Sequence, residues 1–133
     1  MGLRTMDSRR TFLKKSTLAG IGLSIAPSFT YGQWDPSEKL KIGMIGVGLR
    51  GTNHLNNLLI RKDIEIVAIC DIDTARTALA NELIAKAGFA RPKVFGKDVY
   101  DYRNLLEMEQ VDAVIISTPW LWHTVMAKDA MKA

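Results

Sequence analysis

The sequence holds one cysteine, Cys70, and two histidines, His54 and His123, among 133 residues. A lone cysteine cannot close an intrachain disulfide, and inside an apolar run it reads as a small core residue. Two histidines and one cysteine at these separations make no metal site, and no Ser/His/Asp or Cys/His constellation can be assembled from them. The carboxylate pair of an ordinary glycosidase is not recognisable, so no catalytic residue is assigned. Long apolar runs are also missing: residues 16–27 are mildly apolar, rich in Gly, Ala and Ser, and too short to span a bilayer. The net charge of +4 is local, because residues 1–32 carry five basic groups against one acid and the remainder is neutral. Nothing in that remainder suggests a polyanion, which sets nucleic acid aside as a partner.

What is present centres on residues 41–71. Leu40-Lys41-Ile42-Gly43-Met44-Ile45 has the length and apolar content of a buried parallel strand, and Gly46-Val47-Gly48-Leu49-Arg50-Gly51 follows as G-x-G-x-x-G. Gly46 lets the chain turn sharply, Gly48 leaves room for a pyrophosphate against the backbone, and Gly51 lets the next helix pack close to the sheet. That helix, predicted over 52–62 with Leu55, Leu58 and Leu59 at helical spacing, points free N–H groups at the phosphates. A second apolar strand over 64–70 ends in Asp71, 20 residues past Gly51. An acid there accepts hydrogen bonds from a ribose 2′-hydroxyl and repels a 2′-phosphate, which predicts NAD rather than NADP. The bland alternative is a structural βα turn in another α/β domain.

Residues 1–32 read as an address. Ser8-Arg9-Arg10-Thr11-Phe12-Leu13-Lys14 resembles the twin-arginine export signal, with the weakly apolar stretch behind it. The expectation is a periplasmic protein handed folded to the twin-arginine translocase, after it has captured its cofactor. Residues 33–40 are a turn-rich linker, and 41–133 form the globular part.

Along that part, Asp73 caps a helix predicted over 74–87, with Ala75, Ala78, Leu79 and Leu83 on one face and Gly88 as its stop. A short strand over 93–95, a helix over 102–109, a strand over 111–117 and a helix over 120–132 with Val125, Met126 and Ala130 inward complete the chain. Strands alternating with helices give the fold class: α/β, a Rossmann-type doubly wound parallel sheet in the order 3-2-1-4. Four strands leave that sheet incomplete, so the expectation is an N-terminal fragment that stops before its second half.

Ligands of such sheets sit at the carboxyl ends of the strands. The candidates there are Leu49 and Arg50 after the first strand, Asp71 after the second, and Ser117 to His123 after the fourth. Arg50 is placed to neutralise pyrophosphate charge, or is a solvated surface arginine. Trp120 and His123, three apart on a first helical turn, can face the cofactor together, the indole against a nicotinamide or sugar ring and the imidazole on a ribose hydroxyl. Trp122 is expected to pack against a further domain, and His54 is a surface or packing residue.

Ile42-Gly43-Met44-Ile45-Gly46-Val47-Gly48, Cys70-Asp71, Val111-Asp112-Ala113-Val114-Ile115-Ile116, and Thr118-Pro119 with His123 resemble the N-terminal half of the Gfo/Idh/MocA oxidoreductases. These are NAD(P)-dependent enzymes acting mainly on sugars and cyclitols. Many of them have Asn after the Thr-Pro, where this chain has Trp120. Trp120-Leu121-Trp122-His123, with Gly48-Leu49-Arg50-Gly51 and His54, is similar to the branch classed as glycoside hydrolase family 109, the α-N-acetylgalactosaminidase-like proteins.

The resemblance implies a tightly held NAD that transiently oxidises the sugar, so that hydrolysis proceeds without net redox. It implies cofactor contacts at Gly46, Gly48, Leu49, Arg50, Gly51, Asp71, Thr118, Trp120 and His123. Catalytic residues would lie beyond Ala133, a glycoside would be bound by a further domain, and the full-length enzyme would be a homo-oligomer. Two other readings stand beside it: a sugar or cyclitol dehydrogenase with net hydride transfer, and a non-catalytic nucleotide-binding fragment.

Overall fold

A computed structural model describes residues 38–133. The export signal expected over 1–32 and residues 33–37 of the expected linker lie outside the described residues. Four strands and four helices alternate: β1 (Leu40–Ile45), α1 (Leu49–Leu59), β2 (Ile64–Cys70), α2 (Thr74–Lys86), β3 (Lys93–Phe95), α3 (Tyr102–Leu106), β4 (Ala113–Ile116) and α4 (Trp120–Lys132). All strand pairs are parallel and the order is β3-β2-β1-β4, as the sequence predicts. Each crossover therefore lays a helix over a face of the sheet, and the strands read apolar on both sides.

Alternating side chains divide the core between the two faces. Met44, Ile66, Leu55, Ala80 and Ile84 pack under α1 and α2, while Ile45, Cys70, Phe95, Leu105 and Met126 pack under α3 and α4. One irregularity breaks the alternation. Ile42 pairs with Ile66 but Gly43 pairs with Ala68, so Val67 is an extra residue in β2. Such a bulge shifts every later side chain to the opposite face. Ile64 and Ile66 share the α1 face, and beyond the bulge it is Ile69 that joins them.

Several expectations need correction. Helix α1 starts at Leu49 rather than at residue 52, so the last three residues of the glycine motif are already helical. Helix α2 buries Thr77, Ala80 and Ile84, whereas Ala75 and Ala78 are exposed and Leu79 is 41% exposed. Thr77 tolerates the core because its hydroxyl donates to the Thr74 carbonyl within the helix, 3.0 Å away. In α4, Met126 is buried, but Val125 faces outward and Ala130 is half-buried. The helix expected over 102–109 ends at Leu106, and β4 is shorter than residues 111–117 by two residues at its start and one at its end.

Candidate functional site

The β1–α1 turn is assembled from backbone. Gly46 has φ +87°, and a Cβ on it would lie 2.8 Å from the Ser117 carbonyl carbon. A Cβ on Gly51 would lie 2.1 Å from the Gly46 carbonyl oxygen. Glycine is thus required at both positions, so that α1 can close on the turn and the turn on β4. Gly48 differs: a Cβ there would meet nothing within 4 Å. Its open side faces a cavity of about 590 Å³ whose lining includes Gly46, Gly48, Leu49 and Arg50.

Helix α1 has Gly48 at its N-cap, no side-chain cap and no acid in its first turn. Its first N–H groups are left for a ligand, and the helix dipole favours an anion at that end. Arg50 is exposed at the cavity wall and adds a positive charge.

Asp71 stands at the end of β2, turned by the Val67 bulge toward the α1 face. One carboxylate oxygen accepts the Val47 N–H at 2.9 Å and the other accepts the Asp73 N–H at 3.0 Å. The side chain is thereby fixed against the glycine turn, and each oxygen keeps a second lone pair for a hydroxyl donor. Beside it the cavity is walled by Ile72, Asp73, Arg76, Asp98 and Val99.

The loop that carries Asp98 and Val99 is held by Asp101. One oxygen of this buried carboxylate accepts the Gly96 N–H at 2.6 Å and the Lys97 N–H at 2.9 Å, and the other accepts Asn104 Nδ2 at 2.7 Å. Those bonds hold the carboxyl below its usual pKa, the Lys97 and Gly96 N–H groups first. None of these wall residues was marked as ligand-facing by the sequence. Asp73 reads as a cap, which it is, its side chain accepting the Ala75 N–H at 2.9 Å, and the 98–99 loop carries no motif.

At the end of β4, Ser117, Thr118, Pro119, Trp120 and Trp122 line the cavity. Trp120 is 91% exposed and Leu49 75%, two apolar groups at the rim with little protein around them. His123 does not line the cavity: its Nε2 lies 2.6 Å from the Thr118 carbonyl oxygen. A carbonyl can only accept, so Nε2 carries the proton, and in the neutral ring Nδ1 is an acceptor. The ring folds back over the 118–120 turn. Trp122 packs within the chain, edge-on to Tyr100 with ring centroids 5.8 Å apart, because the α3 loop reaches it.

Cys70 lines the cavity floor, but burial, followed by the charges of Asp101, Asp71 and Asp98, pushes its thiol up to about 12. It stays protonated and is no nucleophile at neutral pH. His54 is exposed on α1. Among the described residues no group of His, Cys, Asp and Glu could hold a metal ion, and no helix is long and apolar enough to cross a membrane.

The arrangement fits an elongated ligand with an anionic group and a hydroxyl donor: an uncapped helix N-terminus beside an open glycine, and a fixed carboxylate at the next strand end. Comparison with known proteins agrees. Residues 40–133 match the family described as an oxidoreductase family with an NAD-binding Rossmann fold. A glycosyl hydrolase family 109 protein of Stenotrophomonas maltophilia is 42% identical over 75% of this chain and 22% of its own length. An α-N-acetylgalactosaminidase of Tannerella forsythia is 37% identical over 96% of this chain and 31% of its own length. The chain thus spans less than a third of these curated relatives. Myo-inositol dehydrogenase from Lactobacillus casei, solved with NAD(H) and myo-inositol, superposes with a TM-score of 0.60 at 26% identity. That match covers 71% of this chain and 26% of the dehydrogenase.

Proposed function

The chain belongs to the Gfo/Idh/MocA oxidoreductase family, as its NAD-binding Rossmann domain, and we propose that the intact protein is an exported glycosidase that uses NAD for transient oxidation of a sugar. The observation that carries the cofactor reading is the pair Gly48 and Gly51. One leaves open space at the cavity, and the other lets the backbone N–H groups of α1 come up beside it.

In this reading the first turn of α1 holds the pyrophosphate, with Arg50 balancing its charge. Asp71, already fixed by two backbone N–H groups, accepts from the adenosine ribose and disfavours a 2′-phosphate, which selects NAD over NADP. When bound, the nicotinamide supplies a hydride acceptor for a sugar carbon and then a donor that returns the hydride. Trp120 presents an apolar surface to the rings at the mouth. Thr118 shapes the exit of β4, and His123, with Nε2 on the Thr118 carbonyl, braces that exit from outside the cavity lining.

The glycoside would be bound by a further domain, in a homo-oligomer, and residues 1–32 would take the loaded protein to the periplasm through the twin-arginine translocase. The substrate class rests on the glycosyl hydrolase family 109 relatives and on Trp120-Leu121-Trp122-His123. The test is the intact protein purified from the exporting cell and then denatured. Near-stoichiometric release of NAD, with cleavage of an N-acetylgalactosaminide and no accumulated NADH, is the expected result. Accumulation of NADH with an oxidised sugar would replace the glycosidase by a dehydrogenase, and absence of any bound or bindable dinucleotide would sink both.

A further inference from the structure

Helix α4 carries Trp120 to the cavity mouth, yet of its 13 residues only Met126 is buried. Met126 and the half-buried Trp122 are its large apolar contacts with the core, which leaves the third turn of the helix without one. Polar contacts with α3 supply the missing constraint. Tyr102, fully buried and lining the cavity, donates its hydroxyl to Asp129 Oδ2 at 2.7 Å. Arg103 Nε donates to the same oxygen at 3.0 Å.

The Arg103 guanidinium also lies 5.2 Å from the Tyr100 ring, and Tyr100 is the ring that meets Trp122 edge-on. Helix α3 and Tyr100, two residues before its start, therefore grip α4 at two levels, at Trp122 in its first turn and at Asp129 in its third. Two fixed points define the direction of a rigid rod.

We infer that Asp129 is a positioning residue for the cofactor cavity: held by Tyr102 and Arg103, it fixes α4 and thereby the placement of Trp120 at the mouth. The inference rests on the dinucleotide reading of the cavity for its ligand, but the geometry is independent of it. Charge-assisted hydrogen bonds to one carboxylate oxygen are stronger than neutral ones, and removing the carboxylate releases both donors at once.

The experiment uses the intact protein carrying Asp129→Asn, Asp129→Ala, Tyr102→Phe and the Tyr102→Phe/Asp129→Ala double substitution. Affinity for NAD is measured by calorimetry, and stability by urea unfolding. Asp129→Ala and Tyr102→Phe should each weaken NAD binding by about three- to tenfold, and the double no more than the stronger single, because both act through one contact. Asp129→Asn, which keeps an acceptor for Tyr102, should recover part of the loss.

Ile84→Val, on the opposite face of the sheet, is the reference for a merely structural change and should lower stability with affinity unchanged. A second readout needs no NAD: acrylamide quenching of tryptophan emission should rise in Asp129→Ala as Trp122 loosens from Tyr100. Asp129 variants that lose stability but bind NAD within twofold of the parent would overturn the inference. If the parent protein binds no NAD, the cavity reading fails, and unchanged quenching then overturns the positioning role separately.

Discussion

Two turns meet over the carboxyl ends of this sheet, and they are built from different materials. The β1–α1 turn is backbone packed on backbone: Gly46, Val47 and Gly51 are buried, and two of its glycines have no room for a methyl group. The β4–α4 exit is side chain facing solvent, with Trp120 and Leu121 almost wholly exposed. A turn of the first kind cannot vary without disturbing the sheet. The second can change its chemistry while the fold scarcely responds, and so is free to carry what distinguishes one protein of this family from another.

The sharpest way to break that comparison is Gly51→Ala. The new Cβ would sit 2.1 Å from a backbone carbonyl, where no side chain can yield, so α1 must shift off the turn. A loss of about 2–4 kcal/mol of stability is expected, from overpacking against a rigid neighbour. Urea unfolding followed by far-UV circular dichroism measures it, and NAD binding should fall with it.

Next in size is Asp101→Ala, which removes the carboxylate that holds the 96–98 loop and leaves two backbone N–H groups unpartnered. A cost on the order of 2–3 kcal/mol follows from losing a charged acceptor. The pH dependence has a definite sign. The folded carboxyl lies below its ordinary 3.8, so its stabilisation is complete above that value and disappears as the pH falls through the lower folded one. Unfolding at pH 7, 4 and 3 should show the parent losing its advantage over the alanine variant towards the acid end. A gap that stays constant would mean that Asp101 acts by packing alone.

The glycine turn was legible in the sequence because Gly46 and Gly51 are steric necessities of the turn, and Gly48 completes the spacing at its open side. The strand order followed from apolar runs spaced by helices. The bulge at Val67 left no comparable mark: Ile64 to Cys70 reads as one apolar run in either register, yet the extra residue decides which face Asp71 serves. The inward face of α2 was missed because Ala75 and Ala78 are small enough for either side, and because a threonine that satisfies its own hydroxyl can replace an aliphatic residue in the core. The 98–99 wall was invisible for a different reason. A loop pinned by one buried carboxylate depends on tertiary geometry, and no local pattern in Lys97-Asp98-Val99-Tyr100 encodes it.

Gly48→Ala turns the comparison inward, since it tests the backbone turn at its one open position. With nothing within 4 Å of the new methyl, stability should change by less than about 1 kcal/mol, while NAD affinity falls about tenfold or more as the methyl takes up space at the pyrophosphate. Equal affinity would mean that the phosphates do not pass over Gly48.

The smallest effect on the fold is expected at Trp120. Its side chain is 91% exposed, so replacement by alanine removes almost no buried area, and stability should move by no more than about 0.5 kcal/mol. Any effect must then come from the ligand. Bound NAD should quench the parent's tryptophan emission, and most of that quenching should vanish in Trp120→Ala while Trp122, held edge-on to Tyr100, still reports the folded state. If quenching persists undiminished, Trp120 faces the substrate side rather than the cofactor. The same substitution would then lower the rate of glycoside cleavage with NAD affinity intact, a split between the two ligands that the backbone-built turn cannot produce.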